Sequence, residues 1–337
     1  MTATALTPAL QIPQQAPAAA PARDLISIAD LTNSEVHHLL ELALVMKARP
    51  ADFRGTLAGK QLVLFFEKPS LRTRLTFEAG MNSLGGSSFF VDQTACRLGV
   101  REPLYDVAKN LERWVDGIVL RTFAHDTVTV MAEHASIPVI NALSDQEHPC
   151  QALADMMCLH EHFGNLKNVK LAYVGDGNNV AHSLLLAAAR TGCSIAVATP
   201  EGYEPDPDVA NLACNIAVNT GATVEITNDA ADAVKNASAV YTDVWASMGQ
   251  EDETAHRREV FAGYQVNPRL LSFAAKNAVF MHCLPAHRGD EVTASVIDAP
   301  NSIVFDQAEN RLHVQKAVLA YLLGAGAHRL PPRSANA

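Results

Sequence analysis

The residues of this chain that most clearly suggest chemistry lie at 66–74, where the sequence reads FEKPSLRTR. The apolar run 61–65 before them predicts a buried parallel strand, and the helical spacing after them predicts a helix. We therefore expect Ser70 to cap that helix, with Arg72 and Thr73 in its first turn. A helix N-terminus attracts anions, while hydroxyl and guanidinium groups add donors that grip phosphate. The stretch predicts a phosphate site; a capped surface helix with solvated arginines is the alternative.

A second group of candidates comes from the next strand and from a long helix. Arg121 follows the apolar run 117–120, at the carboxyl end of a predicted strand. His148 and Gln151 open a helix that is expected to extend to residue 163, and residues three apart share a helix face. Imidazole and amide together can hold a carbonyl group and its substituent. A capping histidine with a surface glutamine is the alternative.

The second half of the chain adds residues suited to an amine. Asp243 follows the apolar run 239–242 and offers a carboxylate to an ammonium group, and 247–250 has the composition of a lid. A surface turn is the alternative. The bond between Leu284 and Pro285 is of the type in which cis peptides occur, and a cis bond there would aim backbone carbonyls inward. Cys283 before it is either part of the site or a small buried hydrophobe.

The segment GDGNNV at 175–180 invites a dinucleotide interpretation, because glycines after a strand can approach a pyrophosphate. Val180 stands where the third glycine of that fingerprint belongs, and Glu201 comes later than its acidic residue. A nicotinamide enzyme is therefore the weaker alternative. The pair Asn178 and Asn179 is better explained as hydrogen bonding a small polar ligand at a helix start.

Strands that alternate with helices must position these residues. The alternation predicts an α/β fold with two doubly wound parallel-sheet domains joined by interdomain helices. We expect a disordered tail at 1–24, domains at 25–150 and 151–305, and a C-terminal helix at 306–325 that packs back on the first domain. An early helix is expected at 30–47, capped by Asn33 or Ser34, and another at 103–114. Ligands of such sheets collect beyond the carboxyl ends of the strands, where the candidates fall.

Composition excludes several classes of function. The net charge of -10 gives no support to nucleic-acid binding. Six cysteines without CxxC spacing argue against a disulfide framework or zinc knuckle and favour a reducing, cytoplasmic location. No apolar run approaches the roughly 20 residues of a membrane span. The first 23 residues lack a secretory pattern, and their acid-free composition leaves organellar targeting as a weak alternative to a disordered tail.

Taken together, these stretches resemble the aspartate/ornithine carbamoyltransferase family, and within it the ornithine carbamoyltransferases. The resemblance covers residues 25–323 and rests on FEKPSLRTR at 66–74, DGIVLRT around Arg121, HPCQ at 148–151, GDGNNV at 175–180, DVWASMGQE at 243–251, HCLPAHRG at 282–289 and FDQAENR at 305–311. The motifs at 243–251 and 282–289 are those that point to ornithine. Aspartate, putrescine and N-acetylornithine remain alternative amines, and a catalytically dead relative is a further one.

The resemblance implies conversion of carbamoyl phosphate and L-ornithine to citrulline and phosphate in arginine metabolism, with biosynthesis favoured and arginine breakdown as the alternative. It also implies a homotrimer, or a multiple of trimers, with active sites at subunit interfaces and with neither metal nor organic cofactor. It assigns carbamoyl phosphate binding to Ser70, Leu71, Arg72, Thr73, Arg97, Arg121, His148, Gln151, Cys283, Leu284 and Arg311. It assigns ornithine binding to Asn179, Asp243, Ser247 and Met248. Within these sets the catalytic roles fall to Arg72, Arg121, His148, Cys283 and Arg311.

Three positions depart from the family pattern. Leu71 stands where Thr is usual, which changes little if the backbone acts there. Arg97 stands near a common Gln, in the loop that in the family reaches a neighbouring subunit's site. It either adds charge to that shared pocket or points to solvent. Lys109 replaces a common Arg, and we interpret it as a surface difference.

Overall fold

The structure, a computed structural model, describes residues 24–92, 98–247, 249 and 251–324, without the side chain at 251. Within these ranges the strands are β1 Gln61–Phe66, β2 Ser87–Asp92, β3 Gly117–Arg121, β4 Val139–Leu143, β5 Lys170–Val174, β6 Ser194–Ala198, β7 Val224–Thr227, β8 Ala239–Thr242 and β9 Val279–His282. The helices are α1 Asn33–Ala48, α2 Arg72–Ser83, α3 Leu104–Leu111, α4 His125–His134, α5 Pro149–Phe163, α6 Asn179–Thr191, α7 Pro207–Thr220, α8 Ala230–Val234, α9 Thr254–Val260, α10 Pro268–Leu271, α11 Ala294–Ile297 and α12 Val304–Leu323.

The strands form two parallel sheets, which confirms the predicted fold class. The first sheet has the order β2-β1-β3-β4 and the second the order β7-β6-β5-β8-β9. Strands β1, β3 and β4 are almost wholly apolar and buried, as expected for parallel strands covered on both faces. The strand order reverses between β1 and β3 in the first sheet and between β5 and β8 in the second, so the loops that follow these strands diverge and open a crevice at the carboxyl edge.

One apolar cluster extends through both domains, while two smaller clusters fill the outer faces of the sheets. The continuity comes from α5 and α12. Helix α5 is buried along nearly all of its length, and α12 packs against α1, α2 and α5 after the chain has completed the second sheet. The two sheets are therefore held by shared helices, and the predicted domain bounds remain a prediction.

Several predicted element ends differ from the observed ones. Helix α1 begins after Thr32 rather than at residue 30, because the Thr32 hydroxyl accepts from the Glu35 N–H and the Glu35 carboxylate accepts from the Thr32 N–H. This reciprocal capping replaces the expected caps Asn33 and Ser34. Helix α3 ends at Leu111, where a tight turn brings the amide of Trp114 to the Leu111 carbonyl.

No helix in the described part of the chain is long and apolar enough to cross a membrane.

Candidate active site

A cleft of about 950 Å³ opens between the two sheets at their carboxyl edges. Of the predicted site residues within the described ranges, all but Asn178 line it: Ser70, Leu71, Arg72, Thr73, Arg121, His148, Gln151, Asn179, Asp243, Ser247, Cys283, Leu284 and Arg311. Arg97 and Met248 lie outside the described residues. The fold thus brings residues from distant parts of the sequence to one place, as the strand-end argument expects.

Helix α2 points its N-terminus into the cleft, but the expected Ser70 cap is wrong. Leu71 occupies the capping position, because its carbonyl already accepts the first helical hydrogen bond, from the Leu75 amide. Leu71 itself is in helical conformation, and no side chain caps the helix. The amides of the first turn are therefore not taken by a cap, which leaves them as donors for an anion.

Three arginines give the cleft its positive charge. Arg121 and Arg311 are buried, whereas Arg72 at the start of α2 is half-buried. Burial, and then the nearby Arg311 and Arg72, lowers the pKa of Arg121 to about 10, so it remains charged at neutral pH. The Nε atoms of Arg121 and Arg311 are buried without a hydrogen-bond partner in the protein. Mutually repelling, incompletely bonded guanidinium groups are what a multiply charged anion stabilises.

His148 lies among these cations as a neutral imidazole. Burial first, and then Arg311, Arg121 and Arg72, hold its pKa well below the ordinary value. Its backbone amide donates to the Ser183 hydroxyl at 2.8 Å, while its buried Nδ1 has no partner in the protein. A neutral imidazole beside three cations can donate or accept one hydrogen bond without adding charge.

A buried chain of hydrogen bonds holds Arg311 and Gln151. The Arg311 guanidinium donates to the Thr73 hydroxyl at 2.8 Å and to the Gln151 carbonyl oxygen. The Gln151 amide donates in turn to Asp155, at 2.8 Å. Asp155 is fully buried and also accepts from Gln307 and Tyr241. Burial raises the pKa of Asp155 to about 7. Because Asp155 takes the amide end of Gln151, it is the oxygen of Gln151 that faces the arginines.

Asp243 is the acidic centre of the opposite wall. Its carboxylate accepts from the Asn178 amide at 3.0 Å, from the Val244 N–H at 2.8 Å and from the Cys283 thiol at 2.9 Å. Burial, followed by the charge of Asp243, raises the pKa of Cys283 well above its ordinary value. Cys283 is therefore a thiol donor at neutral pH and not a thiolate.

The two asparagines at the start of α6 have different surroundings. The Asn178 oxygen accepts from the amides of Val180 and Ala181 and so caps the helix. Since its nitrogen is also bonded to Asp243, Asn178 supports the site and is not the ligand-binding residue we expected. Asn179 faces the cleft, and its nitrogen donates to the Ser144 carbonyl at 2.6 Å.

The described residues contain one group with metal-ligand character: Asp243, His282 and Cys283 have ligand atoms within 4.8 Å of one another. Their atoms are already engaged with the protein. The His282 nitrogens contact the Leu284 amide and Glu291, and the Cys283 sulfur donates to Asp243. Hydrogen bonding within the protein therefore explains the cluster without an ion.

The glycines of GDGNNV serve the protein's own packing. A Cβ on Gly177 would lie 2.3 Å from the Pro205 nitrogen and 2.4 Å from the Glu204 carbonyl carbon. The Gly177 amide also donates to the Tyr203 carbonyl at 2.9 Å. Because another loop occupies the space that this glycine opens, the glycine pattern no longer favours a dinucleotide.

Sequence reasoning missed several residues that line or support the cleft. Lys68, Trp245, Arg257, His287 and Glu291 line it, while Asp155 and Gln307 lie beneath it. A signal existed for Asp155, because it follows Gln151 by four residues on one helix face. For Arg257 the sequence contained no signal. It donates to Asp176 and to the Trp245 carbonyl, and only the folding of the chain brings these residues to it.

Comparison with known proteins agrees with this geometry. Residues 23–161 match the family model "Aspartate/ornithine carbamoyltransferase, carbamoyl-P binding domain". Residues 167–322 match "Aspartate/ornithine carbamoyltransferase, Asp/Orn binding domain". The ornithine carbamoyltransferase of Symbiobacterium thermophilum is 52% identical over 89% of this chain and 98% of its own length. The solved structure of ornithine carbamoyltransferase from Pyrococcus furiosus has a TM-score of 0.87 at 49% identity, covering 90% of this chain and 97% of that one.

Proposed function

This chain belongs to the aspartate/ornithine carbamoyltransferase family, and we propose that it transfers the carbamoyl group of carbamoyl phosphate to L-ornithine, giving L-citrulline and phosphate. The proposal rests on one observation: positively charged and acidic side chains line opposite walls of the cleft. A cluster of arginines at the first sheet faces Asp243 and Cys283 at the second. One wall suits a dianionic phosphate and the other an amino acid that carries an ammonium group, so the two substrates would meet between them.

Carbamoyl phosphate is assigned to the first wall. Ser70, Arg72, Thr73 and the open amides of α2 would hold the phosphate, with Arg97 as a further donor. Arg121 and neutral His148 would donate to the carbonyl oxygen of the carbamoyl group. The oxygens of Gln151 and Leu284 would accept from its amide nitrogen, with Arg311 beside them. The unpartnered buried atoms of Arg121, His148 and Arg311 support this assignment, because a ligand would complete their hydrogen bonding.

Ornithine is assigned to the second wall. Asn179, Asp243, Ser247 and Met248 would hold the amino-acid end. The Asp243 carboxylate would pair with the ammonium group at that end. Cys283 would lie beside the reacting amine as a hydrogen-bonding thiol, in keeping with its raised pKa. Asn178 and Val244 keep the Asp243 carboxylate in place for this pairing.

The reaction then proceeds by addition and elimination. The neutral δ-amine of ornithine attacks the carbonyl carbon, and a C–N bond forms. The carbonyl oxygen gains charge that Arg121 and the arginines beside it stabilise. The C–O bond to phosphate breaks, its electron pair leaves with phosphate, and the amine proton passes to the departing phosphate. Holding both substrates in line supplies much of the remaining acceleration.

The test is product formation from carbamoyl phosphate with ornithine, aspartate, putrescine and N-acetylornithine in parallel. We expect citrulline from ornithine and no comparable product from the other amines. Turnover of another amine would preserve the phosphate assignment and contradict the ornithine assignment. A folded protein that binds carbamoyl phosphate and turns over none of them would be a non-catalytic relative.

We further infer a homotrimer or a multiple of trimers. Large apolar side chains on the surface of the first domain support an association there, among them Phe89, Val100, Tyr105 and Trp114, each at least half exposed. Light scattering after size-exclusion chromatography should give a mass that is a multiple of three chains. A monomer with full activity would contradict sites shared between subunits.

We place the reaction in arginine biosynthesis and in the cytoplasm. Carbamoyl phosphate is an activated acyl phosphate, which favours the direction of citrulline formation. The described cysteines, Cys150, Cys158, Cys193, Cys214 and Cys283, are all free thiols, which fits a reducing compartment. The gene should restore growth without arginine to a host that cannot make citrulline, and a failure with active protein present would contradict the biosynthetic role.

A further inference from the structure

A buried carboxylate and imidazole lie beside Cys283 and Leu284 at the wall of the cleft. Glu291 and His282 are both 0% exposed, and the Nε2 of His282 lies 3.1 Å from the Oε1 of Glu291. Glu291 also accepts from the His287 amide at 2.6 Å, so it joins both ends of the loop that follows β9. None of the proposed substrate contacts uses this pair.

The contacts determine which nitrogen of His282 carries the proton. The backbone amide of Leu284, which can only donate, lies 2.9 Å from the Nδ1 of His282. Nδ1 must therefore be the unprotonated, accepting nitrogen, and Nε2 must carry the hydrogen. Glu291 is the acceptor for that hydrogen, so the carboxylate selects the tautomer that can receive the Leu284 amide.

The Leu284 backbone needs such support. Its φ of 59° lies in the left-handed region, which is unfavourable for a residue other than glycine because the Cβ approaches the following carbonyl oxygen. The hydrogen bond to His282 holds this conformation at the point where Leu284 lines the cleft. The backbone of His282 is fixed in turn, because its amide donates to the Gln307 oxygen at 2.9 Å.

We propose that Glu291 is a positioning residue, which acts through the tautomer of His282 to hold Leu284 against the carbamoyl group. The role of Leu284 rests on the proposed function. No substrate contact is assigned to Glu291 itself. Without it His282 is free to adopt the other tautomer, in which Nδ1–H and the Leu284 N–H oppose each other as two donors.

The first test is independent of activity. In ¹⁵N spectra of the whole wild-type protein, His282, assigned by comparison with His282→Asn, should show an unprotonated Nδ1 and a protonated Nε2. A protonated Nδ1 would overturn the proposal. Because this measurement needs no substrate, it stands even if the wild type forms no citrulline, an outcome that would refute the proposed function instead.

The second test separates positioning from stability. Glu291→Leu removes the acceptor, and we expect kcat/KM for carbamoyl phosphate to fall at least about tenfold, mainly through a higher KM. Glu291→Gln retains an oxygen that accepts from Nε2, and should stay within about threefold of wild type. Glu259→Leu, at an exposed position of α9, serves as the matched control.

A purely structural role would lower the amount of active enzyme, and hence kcat, at unchanged KM in Glu291→Leu. That result, or wild-type kinetics in the folded variant, would overturn the proposal. If Glu291→Leu does not fold, the ¹⁵N spectra of wild type and Glu291→Gln decide, because both should show the same His282 tautomer.

Discussion

Charge in the cleft is carried by a few side chains whose protonation states the structure fixes. Arg72, Arg121 and Arg311 are cations, His148 is neutral because burial and those cations lower its pKa, and Cys283 is a thiol. Under the proposed function, these residues would present fixed positive charge to carbamoyl phosphate, and no dedicated protein base is assigned to the amine. This arrangement makes positioning and electrostatic stabilisation the main contributions of the protein.

Arg72→Ala should lower kcat/KM by at least about a hundredfold, or about 2.7 kcal/mol, because it removes a cation from the site where phosphate charge develops. Arg74→Ala is the matched control. Arg74 lies two residues along the same helix, but its guanidinium stacks on Phe90 and pairs with Glu78 outside the cleft. Steady-state kinetics with varied carbamoyl phosphate would measure both. Equal effects in the two variants would contradict the phosphate assignment.

The dependence of kcat/KM on pH should follow the substrate amine. A free amine of this kind has a pKa of about 10, so kcat/KM for ornithine should rise about tenfold per pH unit between roughly pH 6.5 and 8.5. His148 should not add an inflection, because it is already neutral. The profile of Cys283→Ser should have the same shape as wild type. An inflection near neutral pH that vanishes in Cys283→Ser would instead indicate a thiolate base.

The sequence predicted the ends of strands more accurately than the starts of helices. The apolar run 239–242 coincides with β8, and the run 117–120 covers all but the last residue of β3, because polar residues before each run leave little ambiguity about where the strand begins. Helix starts were less predictable. Thr32 caps α1 through Glu35, whereas Leu71 begins α2 without a side-chain cap. Capping depends on where the chain enters the helix, and tertiary structure sets that direction.

Asn178 has two roles, because it caps helix α6 and also donates a hydrogen bond to Asp243. Two substitutions separate these roles. Asn178→Ala should cost about 1 kcal/mol of stability through loss of the α6 cap, and should raise KM for ornithine because Asp243 loses a donor. Asn178→Asp keeps a capping oxygen but places a carboxylate against Asp243. It should retain most of the stability and raise KM for ornithine.

Urea unfolding and kinetics of both Asn178 variants would check this prediction. Asn219→Ala, in the last turn of α7 and remote from the cleft, controls for a change in helix composition. An unchanged KM in Asn178→Asp would contradict the link between the cap and Asp243.

Across the whole molecule, the two-domain α/β fold was predictable because alternating strands and helices allow few other architectures. The buried network around Asp155 was not, since Gln307 and Tyr241 come from elements far apart in the sequence. The buried contacts of Glu147 were not predictable either. Glu147 directly precedes the HPCQ motif at 148–151, but its own residue type did not indicate burial. It is buried and accepts from Ser27, Ile28 and Ser183, so it joins the segment before α1 to helix α6.

Glu147 should make stability depend on pH. Burial raises its pKa to about 7, so the native state holds this proton more tightly than the unfolded state. Its contribution to the free energy of unfolding is therefore fully present at acidic pH and is lost as pH rises through about 7. Glu147→Gln mimics the protonated form. It should be within about 1 kcal/mol of wild type near pH 5 and be more stable at pH 8, by at most about 3 kcal/mol.

Urea unfolding at both pH values measures this difference, with exposed Glu133→Gln as the matched control. Asp24, Asp155 and Asp176 also have raised pKa values, so wild type and control should share a remaining slope that Glu147→Gln reduces. Equal stability of Glu147→Gln and wild type at pH 8 would contradict the prediction.

The packing of α12 on α1, α2 and α5 has a consequence for how the protein is made. The ribosome completes α5 at Phe163 and reaches the end of α12 at Leu323 about 160 residues later. At about 5–20 residues per second, the growing chain waits roughly ten to thirty seconds for the helix that covers its first domain and delivers Arg311. Throughout that interval the apolar surface that α12 will cover is open to chaperones, and the cleft lacks the part of its lining that Arg311 provides.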